Sequence, residues 1–185
     1  AILPTERHQR LRMRRCLLAG AGAVFLTGVC VLLFELGKVR MSTAEFLTAL
    51  TVLWSVNFLF LFAIRSGWNR KFTDPSLTLP QLGWGIFCLI FFSYFLDDLR
   101  SSLLFITLMA LVFGTFQLSL ARLTLVSTIC CLGYGLVTYL IINDPSRQVD
   151  ATHEVVQWAA FSVVAYGFAW LGGEVHRIRR SLRER

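Results

Sequence analysis

The chain has 185 residues, of which 56% are hydrophobic and only 16% charged, with 16 Phe, 5 Trp, a mean hydropathy of +0.63 and a net charge of +7. That much apolar surface exceeds what a soluble domain of this size buries, and it places the chain among membrane proteins. The positive balance does not point to nucleic acid, because the basic residues flank apolar runs and form no recognisable RNA- or DNA-binding module.

A helix needs about 20 mostly apolar residues to cross the hydrocarbon layer, where only internally hydrogen-bonded backbone is tolerated. Six stretches are predicted to do so: 16–36, 44–64, 80–96, 103–120, 123–142 and 155–173, the third and fourth being the shortest. The first follows a basic flank and imitates a secretory signal, but it is too long and lacks a small-x-small cleavage site, so it is read as a retained helix. Its Gly20 to Ala23 segment offers a close-packing site. The second carries Asn57 near its middle, the most conspicuous of the deep polar residues. The others are Ser55, Thr107, Thr115, Gln117, Thr128, Tyr134, Tyr139, Gln157 and Tyr166. Interhelical hydrogen bonding is their expected role, at about 0.6 kcal/mol each.

Between the second and third runs lies a dense, basic, turn-rich loop from Arg65 to Gln81. Asp74-Pro75 is a turn signal, and Pro80 suits the first turn of the third helix, where its missing N–H costs no intrahelical bond. Physics alone makes this loop a rigid connector with Arg65, Arg70 and Lys71 facing anionic lipid.

The segments expected outside are short: 37–43, 97–102 and 143–154. None is long enough to fold into a ligand-binding domain. Glu35, Asp97, Asp98 and Glu154, with His153 adjacent, fall at these ends and are read as ordinary solvated helix ends, or else as a cation- or proton-sensing ligand mouth. Cys16, Cys30, Cys88, Cys130 and Cys131 lie in or beside the spans, match no metal spacing and are expected to serve as free apolar packing. His8, His153 and His176 are scattered. The aromatics Trp54, Phe58, Phe62, Phe87, Phe91, Phe92 and Phe95 are expected to pack against lipid, the alternative being a pocket for a lipophilic ligand.

In the last run Phe161, Val164, Phe168, Leu171, Val175, Ile178 and Leu182 follow steps of 3 and 4, a heptad seam that continues past Gly172-Gly173 into a basic tail. Val175, Ile178 and Leu182 carry the independent weight, since positions inside lipid are apolar anyway. Ala165, Ala169 and Gly173 recur every fourth residue on a neighbouring face and permit close helix approach. Placing both termini in the cytoplasm divides the 18 basic residues 14 inside against 4 outside, namely Lys38, Arg40, Arg100 and Arg147. The fold predicted is therefore an all-α membrane protein, a six-transmembrane-helix bundle over residues 1–173. Its last helix extends into the cytoplasm over 174–185 as the start of a coiled coil.

Arg65, Ser66, Gly67, Asn69, Phe72, Asp74, Pro75, Ser76, Thr78 and Gln81 make a loop of the form Arg-Ser-Gly-x-Asn-x-x-Phe-x-Asp-Pro-Ser-x-Thr-x-x-Gln. Gly173-Glu174 then leads into a basic helix. With these features the chain resembles the N-terminal six-helix membrane-associated sensor (MASE-type) regions of bacterial nucleotide second-messenger cyclases. Diguanylate cyclases are the nearest in kind, and related regions precede class III adenylate cyclases. The resemblance implies a sensory, regulatory and dimerisation module controlling a C-terminal cyclase that makes cyclic di-GMP from GTP or cyclic AMP from ATP. It also implies a homodimer along Phe168, Leu171, Val175, Ile178 and Leu182, contact with membrane lipids, and a lipophilic or ionic ligand. The cyclase would need Mg2+ or Mn2+. The residues present contain no Gly-Gly-Asp-Glu-Phe signature, so no catalysis, cofactor or metal is expected of them, and the chain is expected to be the front of a longer protein. The alternative class is a stand-alone small transporter or lipid-binding scaffold.

Overall fold

The computed structural model describes residues 7–72, 76–96, 99–115 and 118–183, with the side chains at 7, 8, 113, 115, 176 and 178–183 not described. Over these residues the chain is all-α, with six helices and no strand. They are α1 (Arg7–Glu35), α2 (Thr43–Arg65), α3 (Thr78–Tyr94), α4 (Arg100–Thr115), α5 (Leu120–Ile142) and α6 (Ala151–Arg183), with a 3₁₀ turn at Trp68–Lys71. Four are long and apolar enough to cross a membrane: Gln9–Glu35 of α1, α2, α5 and Ala151–Val175 of α6. At about 1.5 Å per residue, α3 with 17 residues and α4 with 16 reach roughly 25 Å, short of a hydrocarbon layer of about 30 Å.

Boundaries moved where caps intervene. α6 starts at Ala151 rather than 155 because the Asp150 carboxylate accepts the Thr152 N–H at 2.9 Å and the Asp150 carbonyl accepts from Glu154 N at 3.1 Å. α5 starts at Leu120 rather than 123, behind an extended Ser119. α4 starts at Arg100 rather than 103. Pro80 lies in the first turn of α3, as its lack of an N–H requires. α6 passes through Gly172 and Gly173 without a break.

The chain divides into two compact units, Ala1–Gly85 and Ile86–Arg185. In the first, α1 and α2 form a hairpin. α1 ends in a Schellman turn: Gly37 has φ 67°, Lys38 N donates to Leu33 O and Gly37 N to Phe34 O, each at 2.9 Å. α2 opens with a reciprocal capping box between Ser42 and Glu45. Contacts then tie the helices along their length. Phe34 stacks on Phe46 at 4.2 Å, the Trp54 indole donates to Thr27 Oγ1 at 3.2 Å, and Met13, Cys16, Ala63, Ile64 and Leu77 form a buried cluster. Asn57 turns back to its own helix, donating to Leu53 O at 2.8 Å.

In the second unit α5 and α6 are the most extensively packed pair. Small residues set their spacing, as the sequence suggested for Ala165, Ala169 and Gly173. Ala165 and Ala169 are buried, Ser127 Oγ donates to Ala165 O at 3.2 Å, and a Cβ on Gly173 would stand 2.9 Å from Leu120 Cδ1. Phe161 belongs to this intrachain core, with its ring edge-on to Tyr134 at 5.5 Å. Opposite Gly135, the Trp158 indole donates to Cys131 O at 2.9 Å. All five cysteines are buried, and none forms a disulfide.

Candidate functional site

A helix N-terminus carries a partial positive charge, so an arginine as the first residue of α4 is poorly placed unless its charge is used elsewhere. Arg100 does this. Only 2% exposed, it donates from Nε to Ser93 O in the last turn of α3 at 3.2 Å and from Nη2 to Leu96 O just beyond that helix at 2.9 Å, binding the carbonyl-rich end that a cation suits. Its Nη1 forms an ion pair with Glu154 in the first turn of α6, where an acidic group is favoured and which is itself 7% exposed. One guanidinium thus joins α3, α4 and α6.

α5 completes the cluster. The Tyr134 hydroxyl, fully buried, feels both charges of the pair and donates to Gln157 Oε1 at 3.4 Å, while Gln157 Nε2 donates to Ser101 Oγ at 2.6 Å. The Thr138 hydroxyl lies near Tyr134 but makes no hydrogen bond among the described residues. A buried ion pair with its remaining hydrogen bonds satisfied is a device for fixing one arrangement rather than a large source of stability. It is not a nucleophile-and-base constellation, since both charges are already committed to each other.

Arg147 makes a second clamp on the same helix end. It donates from Nη1 to Tyr94 O at 2.7 Å, lies 4.6 Å over the Tyr94 ring and pairs through Nε with Asp144 at 3.0 Å. The Asp144 carboxylate accepts from Ser146 Oγ at 2.6 Å and Ser146 N at 3.0 Å. The Ser146 hydrogen bonds first, and Arg147 after them, hold its pKa below the ordinary aspartate value.

Of the mouth residues, Glu35 and His153 are exposed, Glu154 is buried in the ion pair rather than solvated, and Asp97 and Asp98 lie outside the described residues. Among the described residues no three His, Cys, Asp or Glu side chains converge. Of the loop motif, Ser66 caps α2, Gly67 takes a left-handed φ of 78°, and Asn69 is fully buried in the 3₁₀ turn. There Asn69 Oδ1 accepts from Gln9 Nε2 of α1 at 2.9 Å, and the same amide reaches Ile64 O. Phe72 is exposed, Gln81 lies against the Cys16 thiol, Ser76 and Thr78 flank a left-handed Leu77, and Asp74 and Pro75 lie outside the described residues. Arg65 is exposed at the end of α2. Along the seam Val164 and Leu171 are exposed, Phe168 and Val175 are half-buried, and the side chains of Ile178 and Leu182 lie outside the description.

Sequence reasoning missed Arg100 and Gln9 as anchors. Arg100 could have been found as an unlike charge heading one apolar helix while Glu154 heads another. Gln9, Met13 and Cys16 form a non-basic stripe at helical spacing through an otherwise arginine-rich turn. No family model, no curated protein and no solved structure matches the chain.

Proposed function

We propose that the chain is a membrane-embedded sensory, regulatory and dimerisation module controlling a nucleotide cyclase, a diguanylate cyclase making cyclic di-GMP or an adenylate cyclase making cyclic AMP. In this reading all six helices cross the inner membrane, both termini are cytoplasmic, and α6 pairs with its twin through Phe168, Leu171, Val175, Ile178 and Leu182. The short α3 and α4 cross where the bilayer thins locally to meet them.

The observation that carries the reading is α6. Its first turn is held by the buried Arg100–Glu154 pair, and it continues unbroken for 33 residues, about 50 Å, against a layer of about 30 Å. A lipophilic or ionic signal that loosens the ion pair therefore acts on a rod long enough to carry the change out of the membrane. The loop motif and the basic helix after Gly173-Glu174 select the cyclase class from among membrane receptors.

The test measures cyclic di-GMP and cyclic AMP in cells expressing the natural reading frame, unaltered and with Glu154→Gln. A change in either nucleotide, with membrane levels of the protein unchanged, is expected. A reading frame without a cyclase, or nucleotide levels that ignore the substitution, overturns the reading and favours a stand-alone transporter or lipid-binding scaffold.

A further inference from the structure

The 3₁₀ turn Trp68–Lys71 brings two kinds of side chain to one edge of the first unit. Arg70 and Lys71 are exposed on it, and Arg70 folds back over Gly67, its Nε 3.7 Å from where a Cβ would stand. Trp68 and Phe72 are 53% and 45% exposed and meet edge-on at 5.7 Å. The turn is not free to drift, because Asn69 at its centre is bonded to Gln9 of α1. Gln9 in turn accepts from Arg12 Nη1 at 3.1 Å through Oε1, which fixes a third cation, a second guanidinium, next to the turn. The Gln9 side chain is therefore a bridge: one end holds the loop, the other holds Arg12.

Exposed aromatic rings beside a cluster of cations, at the end of two apolar helices, match the boundary between acyl chains and anionic headgroups. Trp is favoured at that level, and each Lys or Arg contributes about 1 kcal/mol of attraction to an anionic leaflet. Guanidinium groups also match phosphate oxygens in geometry. We propose that this surface is a docking site for an anionic phospholipid, with its headgroup phosphate held by Arg12, Arg70 and Lys71 and its glycerol–acyl boundary packed on Trp68 and Phe72. The site rests on α1 and α2 being membrane-embedded and is independent of any cyclase. It gives Asn69 a role as a positioning residue: Gln9 stays anchored to Ile64 O and keeps Arg12, but without the bond to Asn69 the turn that carries Arg70 and Lys71 is no longer tied beside Arg12.

The full chain in neutral detergent is titrated with phosphatidylglycerol or phosphatidylcholine, and bound lipid is counted by native mass spectrometry. Phosphatidylglycerol should be preferred, and Arg70→Gln with Lys71→Gln should lower that preference about thirtyfold, roughly fivefold per cation. Lys71→Gln alone, at an exposed position, gives the fivefold step should the double variant not fold. Trp68→Ala with Phe72→Ala should weaken both lipids. Asn69→Ala should lower the preference for phosphatidylglycerol although it removes no charge. Arg14→Gln with Arg15→Gln, on an exposed part of α1, should change nothing. An equal loss in that control pair means general charge attraction and overturns the site. Displacement by millimolar inorganic phosphate means a soluble anion is the ligand and also overturns it, as does an unchanged preference in Lys71→Gln.

Discussion

Removing Arg100 tests the latch at the head of α6. Arg100→Met preserves bulk but deletes the hydrogen bonds to Ser93 O and Leu96 O and leaves the Glu154 carboxylate buried without its counter-ion. Losing one member of a buried pair costs about 3–5 kcal/mol. In a chain of this length 1 kcal/mol moves the midpoint by about 2–4 °C, so melting should fall on the order of 10 °C. Replacing both members, Arg100→Met with Glu154→Leu, removes the stranded charge and leaves the lost bonds to the Ser93 and Leu96 carbonyls as the cost, about 1–3 kcal/mol. The double variant should therefore melt above the Arg100 single variant. The assay is thermal denaturation of purified protein in one detergent, followed by size-exclusion fluorescence. An Arg100→Met midpoint within roughly 2 °C of the unaltered protein, or a double variant as low as the sum of both singles, refutes the argument.

Gly135→Ala should destabilise by about 1–3 kcal/mol, because its Cβ would stand 2.9 Å from the Trp158 Nε1 that is pinned to Cys131 O. Gly22→Ala, with nothing within 4 Å, should be neutral or stabilising by up to about 1 kcal/mol, and the same melting series reads both. Asp144 has a lowered folded pKa, so its contribution to ordering the 143–150 segment is complete above the ordinary aspartate value and disappears as pH falls through the lowered one, below about 4. Hydrogen exchange at the Ser146 amide should accelerate on acidification, and Asp144→Asn should abolish that dependence. On the proposed function, changing Val175, Ile178 and Leu182 together to polar residues should abolish cross-linking between copies in membranes and uncouple the proposed cyclase. Persistence of both would remove the seam from the mechanism.

The sequence made the helices legible because lipid leaves the backbone one solution, and runs of Leu, Phe and Val reveal it. Helix ends were less legible, since they depend on caps such as Asp150 that look like any loop acid. The site was hardest to read. Glu154 beside an exposed His153 has the pattern of a solvated end, and only the approach of Arg100, 54 positions earlier, buries it. Asn69 was picked out as part of a motif, but its partner Gln9 sits among arginines whose charge dominates that segment. Hydropathy carries no record of which polar groups meet.

Glu154, Phe161, Phe168, Val175 and Leu182 are spaced by seven residues each, so the ion pair grips α6 on the same heptad position that the proposed seam uses. A straight helix drifts about 20° per heptad, so roughly 60° separates Glu154 from Val175. The Arg100 clamp consequently sets the azimuth of α6. Further along, α5 holds the same setting through Ser127 on Ala165 O, Trp158 on Cys131 O and Leu120 against Gly173, so a rotation released at the clamp reaches Val175 only where the packing of α5 on α6 turns with it.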